Sequence, residues 1–298
     1  MLASTLALGG SAVAQPKPPA DKPAPAKPPV PAGKPNPGKP PGAKPVPPTP
    51  PAPPAKPVVV DVAAEIKKLY GADEDKATQG AQRLGETRDP KALAALLDGL
   101  ALGLPPKAAA AALLSVAKHK SPGSFDTVAG FLHYRDRRVR AAAVAAMGAL
   151  DDARAIELVL AALHDPHKEV RASALDVIEE RKLKRATDVV LDLFKKGDEA
   201  SARALAAMAD ADLARVIGEQ IGTAPDELVA RALGLILLNK DFKGEPARVE
   251  VVRTLAKVPG TEAVEQLSAY IESVPANPPR QSRREAEQLV EQRLTGGN

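Results

Sequence analysis

The sequence predicts an all-α fold, an α–α superhelix in which helical hairpins stack into a solenoid, preceded by a disordered proline-rich segment. Three observations predict it. A set of apolar positions and arginines recurs at a spacing of 31 residues. Alanine and leucine dominate from Val58 onward, while large rings are scarce: four Phe, three Tyr and no Trp in 298 residues. Of 31 prolines, 20 fall between Pro16 and Pro57, which leaves the rest sparse in the residue that breaks helices.

The chain opens on a short apolar, uncharged run, Leu2–Val13, ending in Ala12-Val13-Ala14. That is the small-x-small pattern of a signal-peptidase site, so residues 1–14 read as a signal peptide with Gln15 as the first mature residue. The run is shorter than the roughly 20 residues a membrane-spanning helix needs. No Lys or Arg precedes it, so the expected start of translation lies upstream of Met1. The expected location is periplasmic or secreted.

Residues 15–57 read as a disordered Pro/Lys/Ala-rich linker. Proline fixes φ and removes donors, so the linker favours polyproline II, at about 3.1 Å per residue. Its seven lysines face a single acid, Asp21. Removing these from the totals of 41 basic and 37 acidic residues leaves 34 and 36 for the remainder, a net of −2. The basic character therefore belongs to the linker. A near-neutral, tryptophan-free domain lacks the positive field and stacking rings of a nucleic-acid binder. The linker lysines are a candidate contact for anionic cell-wall or membrane-surface polymers.

Two segments set the repeat, which spans residues 58–275. Arg140, Val144, Met147, Leu150, Ile156, Val159, Leu160 and Leu163 are followed 31 residues later by Arg171, Leu175, Ile178, Arg185, Val190, Leu191 and Phe194. A third copy lies 108 residues after the first, with Arg248, Val252, Leu255, Val258, Val264 and Leu267. A fourth lies 63 residues before it, around Leu84-Gly85 and Asp89–Leu93. Apolar residues at i, i+3/i+4 and i+7 mark one buried face per helix. A two-helix unit of this size cannot bury its apolar face alone, and stacking on the next unit solves the problem.

Val139-Arg140-Ala-Ala-Ala and Asp165-Pro166-His167-Lys168-Glu169-Val170-Arg171 resemble HEAT repeats, specifically the short, phycobilisome-lyase-type variety. Asp89-Pro90-Lys91-Ala92-Leu93 is similar to that family's inter-helix signature. The resemblance covers roughly residues 61–274 and implies a HEAT/armadillo-like solenoid. It also implies that the repeated arginine bridges to a loop acid of the neighbouring repeat. It implies no particular activity, because one repeat fold hosts many roles.

Pattern and breakers place helices over 63–70, 74–85, 90–101, 106–118, 122–133, 136–149, 153–163, 167–181, 185–195, 199–208, 211–220, 225–238, 245–257, 261–273 and 280–294. The last of these, within residues 276–298, reads as a polar C-terminal cap. Asp136/Arg140, Glu199/Arg203 and Glu227/Arg231 are expected to pair along their own helices at i, i+4. Gly80, Gly85, Gly148 and Gly234 read as close-packing positions.

Chemistry has few candidates. The chain has no cysteine, which excludes disulfides, zinc–thiolate sites and thiol nucleophiles. Among the four histidines only His164-Asp165-Pro166-His167 brings two close together, too few ligands for a metal site. No His-Glu dipeptide, phosphate-binding loop or activated serine motif appears. The expectation is a non-enzymatic scaffold or adaptor without metal or cofactor. It would bind a protein or peptide along a concave row made by the second helix of each hairpin, with Arg154, Glu157, Arg185, Asp188, Glu262 and Glu265 exposed on it. The competing readings are an enzyme or cofactor carrier using the His164–His167 turn, and a structural envelope protein whose linker holds wall polymer. The oligomeric state is open.

Overall fold

A computed structural model describes residues 60–278 and 280–296. The expected signal peptide, residues 1–14, and the expected linker, residues 15–57, fall outside the described residues. Among those described there are fifteen α-helices and no strand. They run α1 (Val62–Leu69), α2 (Glu74–Leu84), α3 (Pro90–Leu102), α4 (Pro106–His119), α5 (Phe125–Gly130), α6 (Arg137–Ala149), α7 (Ala153–Ala162) and α8 (Lys168–Arg181). Then follow α9 (Thr187–Lys195), α10 (Glu199–Met208), α11 (Ala211–Gly218), α12 (Asp226–Leu238), α13 (Glu245–Leu255), α14 (Glu262–Ser273) and α15 (Gln281–Thr295).

Local signals start and stop these helices. Asp61, Asp73, Asp89, Asp136 and Asp152 sit at N-caps, and each side chain accepts from a backbone N–H of the first turn. Pro90 and Pro106 occupy first-turn positions, where a missing N–H costs nothing. Gly103 ends α3 in the left-handed region at φ 93°. Lys120 and Lys182 end α4 and α8 in the same region at φ 51°, where an L side chain is strained. Two expected helices open in a 3₁₀ turn: Pro122–Ser124 before α5, which covers only Phe125–Gly130, and Lys184–Ala186 before α9.

The helices alternate between two rows. Each even-numbered helix packs on the even-numbered helix before and after it, from α2 to α14. The odd-numbered helices pack mainly against the even row and touch one another far less, until α13 meets α15. The even row is therefore tight and the odd row wide. Its sequence explains why. The α6 stretch Arg140–Ala149 is mostly Ala and Gly, so backbones approach closely. A Cβ on Gly148 would stand 2.2 Å from Val177 Cγ2 on α8. One on Gly85 would stand 2.6 Å from Ser115 Cβ on α4, and one on Gly234 2.8 Å from Gln266 Cβ on α14. The four glycines expected at crossings all lie at such close approaches, Gly80 against the α1 backbone.

Between the rows runs one continuous apolar core. The equivalent pairs Val144/Leu175, Met147/Ile178, Val159/Val190 and Leu163/Phe194 are all buried, as the 31-residue register requires. The third copy is buried too at Val252, Leu255, Val258 and Leu267, but in the other phase. α13 comes seven places after α6, an odd offset, so it lies in the wide row although its sequence aligns with α6 of the tight row. The hairpin phase read from that copy is thereby corrected.

The C-terminal helix closes the stack on α13 and α14, burying Ser282 and Ala286. Ser282 donates through both N and Oγ to Glu245 Oε1, at 2.8 and 2.7 Å, and its Oγ lies 2.6 Å from Tyr270 Oη. Arg293 donates to the carbonyls of Ala256 and Val258, at 2.7 and 2.6 Å, capping the end of α13.

Candidate protein-binding surface

Charge in the repeats serves the joints first. Arg140 on α6 donates to Tyr134 O at 2.8 Å in the loop before it. Its Nε and Nη2 reach Asp165 at 2.8 and 3.1 Å in the loop between α7 and α8. One repeat later Arg171 donates to Asp165 O at 3.2 Å, and through Nε and Nη2 to Asp198, each at 3.1 Å. Both pairs are mostly shielded, with Arg140 and Asp165 each 12% exposed. The Arg140 hydrogen bonds hold the Asp165 carboxyl below the usual carboxylate range. The Arg138 hydrogen bonds lower Asp136 to about 2. Arg248, in the same alignment column, does a different job. It is buried and donates to the carbonyls of Leu237, Asn239 and Phe242 at 2.5, 3.1 and 2.6 Å, so it closes the end of α12 instead of meeting an acid.

The three expected i, i+4 pairs do not form. Asp136 pairs with Arg138 at 2.9 Å. Arg203 crosses from α10 to α8, reaching Asp176 at 2.7 Å and Glu179 at 3.7 Å. Arg231 crosses from α12 to Glu262 on α14 at 3.7 Å. The tight spacing of the even row brings the neighbouring helix within reach of a long guanidinium.

The six residues expected on one binding surface fall on two. Arg154 lies in the first turn of α7 and Glu157 one turn on. Arg185 lies in the 3₁₀ turn Lys184–Ala186 that leads into α9 and Asp188 in the first turn of α9, so all four belong to the wide row. Arg154 is exposed, bonded to Asp152 at 2.7 Å and stacked 3.9 Å over the Phe125 ring. Glu157 pairs with Arg185 at 2.7 Å. Glu262 and Glu265 lie on α14 in the tight row, Glu262 half-buried and Glu265 exposed. The out-of-phase third copy explains the split.

Beyond Glu262 and Glu265, sequence reasoning placed no candidate on the tight row. Its exposed large apolar residues are Leu114 on α4 and Leu238 on α12. A depression of 260 Å³ opens on α8, α10 and α12, floored by Ala206, Ala207 and Leu235 and rimmed by Glu179, Arg203 and Asn239. A larger open groove of 1010 Å³ runs beside it, lined in succession by Arg171, Arg203 and Arg231. Apolar floors between paired charges suit a polypeptide better than a small molecule, and neither hollow is enclosed. The His164–His167 turn faces this groove through His164 and Asp165, but Asp165 is committed to Arg140, and Arg140 Nη2 also donates to His167 Nδ1 at 3.1 Å. Among the described residues no group of three or more His, Cys, Asp or Glu is arranged to hold a metal ion.

A family model for HEAT repeats matches residues 102–179 and, in a second register, 126–211. Residues 102–211 are thus similar to HEAT repeats. The arginine ladder from Arg140 to Asp198 lies within that match, and the double row continues the HEAT architecture on both sides of it. Among solved structures, the complex of CpcE and CpcF of phycocyanin lyase from Nostoc sp. PCC7120 is 17% identical over 77% of this chain and 93% of that one, with a TM-score of 0.43. A homology model of the full-length AP-3 complex is 13% identical over 77% of this chain and 50% of that one, at 0.47. A designed armadillo repeat protein is 12% identical over 77% of this chain and all of that one, at 0.34. At these identities and scores the likeness carries no argument about function. No curated protein matches the chain.

Proposed function

We propose that this is a non-enzymatic HEAT-repeat scaffold that holds a protein partner along its tight row. The observation that carries this reading is the asymmetry of the two rows. Where one row packs more closely than the other, the stack curves toward the closer row, and the tight row becomes an inner, continuous face. That face offers Leu114, Leu238 and the α8–α12 depression to a partner, while the ladder arginines are spent on the joints. Replacing Leu114 and Leu238 together by Glu tests it. Both are more than one-third exposed, so the unfolding midpoint should hold while co-purification of the partner is lost. Retention of the partner would remove the reading.

The same proposal sets the scaffold in the cell envelope, periplasmic or secreted. Support comes from the apolar run Leu2–Val13 and its Ala12-Val13-Ala14 ending. A mature chain whose mass begins at Gln15 is the expected outcome, and a cytoplasmic chain retaining Leu2–Val13 contradicts it. If deleting residues 16–57 abolishes wall association while partner binding persists, the linker has a separate part in holding wall polymer.

A further inference from the structure

The depression on α8, α10 and α12 has a volume of 260 Å³, below the roughly 300–1,000 Å³ of a small-molecule pocket. Its floor of Ala206, Ala207 and Leu235 suits one apolar side chain. Leu238, one turn beyond Leu235 on α12 and 40% exposed, extends that apolar surface. The two bases that line the hollow are already engaged. Arg203 meets Asp176 at 2.7 Å and Glu179 at 3.7 Å, and Lys182 is paired with Asp241.

Other carboxylates of the same four tight-row helices stand free. Glu180 on α8, Glu199 on α10, Glu227 on α12, and Glu265 and Glu272 on α14 are all exposed. Among the described residues none of the five has an ion-pair partner, whereas Asp176, Glu179 and Glu262 do. Glu180 follows the rim residue Glu179 directly, and Glu227 lies two turns before the floor residue Leu235 on the same side of α12. The exposed base left unpaired on these helices is Lys168, three turns before Glu179 and beside the neighbouring groove. The loop after α12 adds Lys240. The charge left over on this stretch of the row is therefore negative.

We propose that the partner's contact here is a short basic segment, with one apolar side chain seated in the α8–α12 hollow and lysines or arginines on either side of it. This rests on the proposed tight-row binding face and names the chemistry of what that face holds. Exposed carboxylates without partners attract a basic segment and repel an acidic one. The seated apolar side chain supplies the affinity that solvent-exposed ion pairs supply only weakly. Three steps of about 9 Å separate α8 from α14, so an extended segment of about eight residues crosses all four helices.

Fluorescence anisotropy on the full chain, with three synthetic peptides of about nine residues, tests this. The first carries a central leucine between lysines. The second has the same leucine between glutamates, and the third has serine in place of leucine between lysines. At low salt, where exposed charges are least screened, the first should bind about tenfold more tightly than either of the others. Glu180→Gln, Glu227→Gln and Glu265→Gln together, all on exposed side chains, should bring the first peptide within about twofold of the second, with the unfolding midpoint unchanged. Equal binding of the lysine and glutamate peptides, no binding of either, or a preference that survives the triple substitution overturns the proposal. So does equal binding of the leucine and serine peptides, which means a diffuse attraction with nothing seated in the hollow. The outcome stands apart from the leucine experiment: partner loss on Leu114→Glu/Leu238→Glu with no preference among the peptides keeps the binding face and removes the basic segment.

Discussion

Arg140 shows how much one side chain can tie together. It joins the loop before its own helix to Asp165 in the next repeat, and Asp165 in turn accepts from the His167 N–H at 2.8 Å. The consequence appears in acid. Because Arg140 lowers the Asp165 pKa on folding, the pair contributes stability that is fully present above the unfolded carboxylate value of about 3.9. That stability is lost as pH falls from there through the lower folded value. The native chain should therefore lose stability steeply below about pH 4, and Asp165→Asn should flatten that slope while lowering stability at pH 7. Chemical denaturation at a series of pH values measures both. Arg248 marks the limit of reading such a residue from its column alone. The alignment predicts another rung of the ladder, but the residue meets three carbonyls, because α13 sits in the other row.

Helices in this fold are specified by the size of the residues that face each other. Gly148→Ala separates packing from propensity. Helix propensity alone would make it stabilising by about 0.5–1 kcal/mol. The new Cβ, however, would stand 2.2 Å from Val177 Cγ2, on a residue that is itself buried, so overpacking should destabilise by roughly 1–3 kcal/mol. An equilibrium denaturation curve decides the sign. Such crossings were legible in the sequence, as was the buried face of each helix, because glycine spacing and apolar period are local signals. Charge pairing was not legible. Arg203 and Arg231 find their acids 24 to 31 residues away on neighbouring helices, and nothing within one helix announces that. At the C-terminal end, the Glu245–Ser282–Tyr270 group pins α15. Glu245→Ala should raise amide exchange in Gln281–Thr295 well above that of α6 and α8, with the rest of the stack retained. Uniform exchange across the stack would show that α15 is held by other contacts.

At the scale of the whole stack, even-row helices are sealed by one another and odd-row helices by the even row, and core residues far apart in the chain meet only through the helices between them. The fold class followed from the 31-residue register, since one hairpin has no way to hide its own apolar side. Which row lies inside did not follow. Apolar period reports which face of a helix is buried, and both rows bury a face toward the same core. Row identity depends on counting helices without error through the short α5 and α11, where spacing departs from the repeat. That ambiguity grouped Arg154, Glu157, Arg185 and Asp188 of the wide row with Glu262 and Glu265 of the tight row.

The most direct test of this account places a photo-crosslinking amino acid at single positions in cells. Leu114 and Leu238 report on the tight row, and Glu157 and Asp188 on the wide row. The account predicts partner adducts from Leu114 and Leu238, with none from Glu157 or Asp188. Adducts confined to Glu157 and Asp188 would contradict it, and the binding face would then be the wide row.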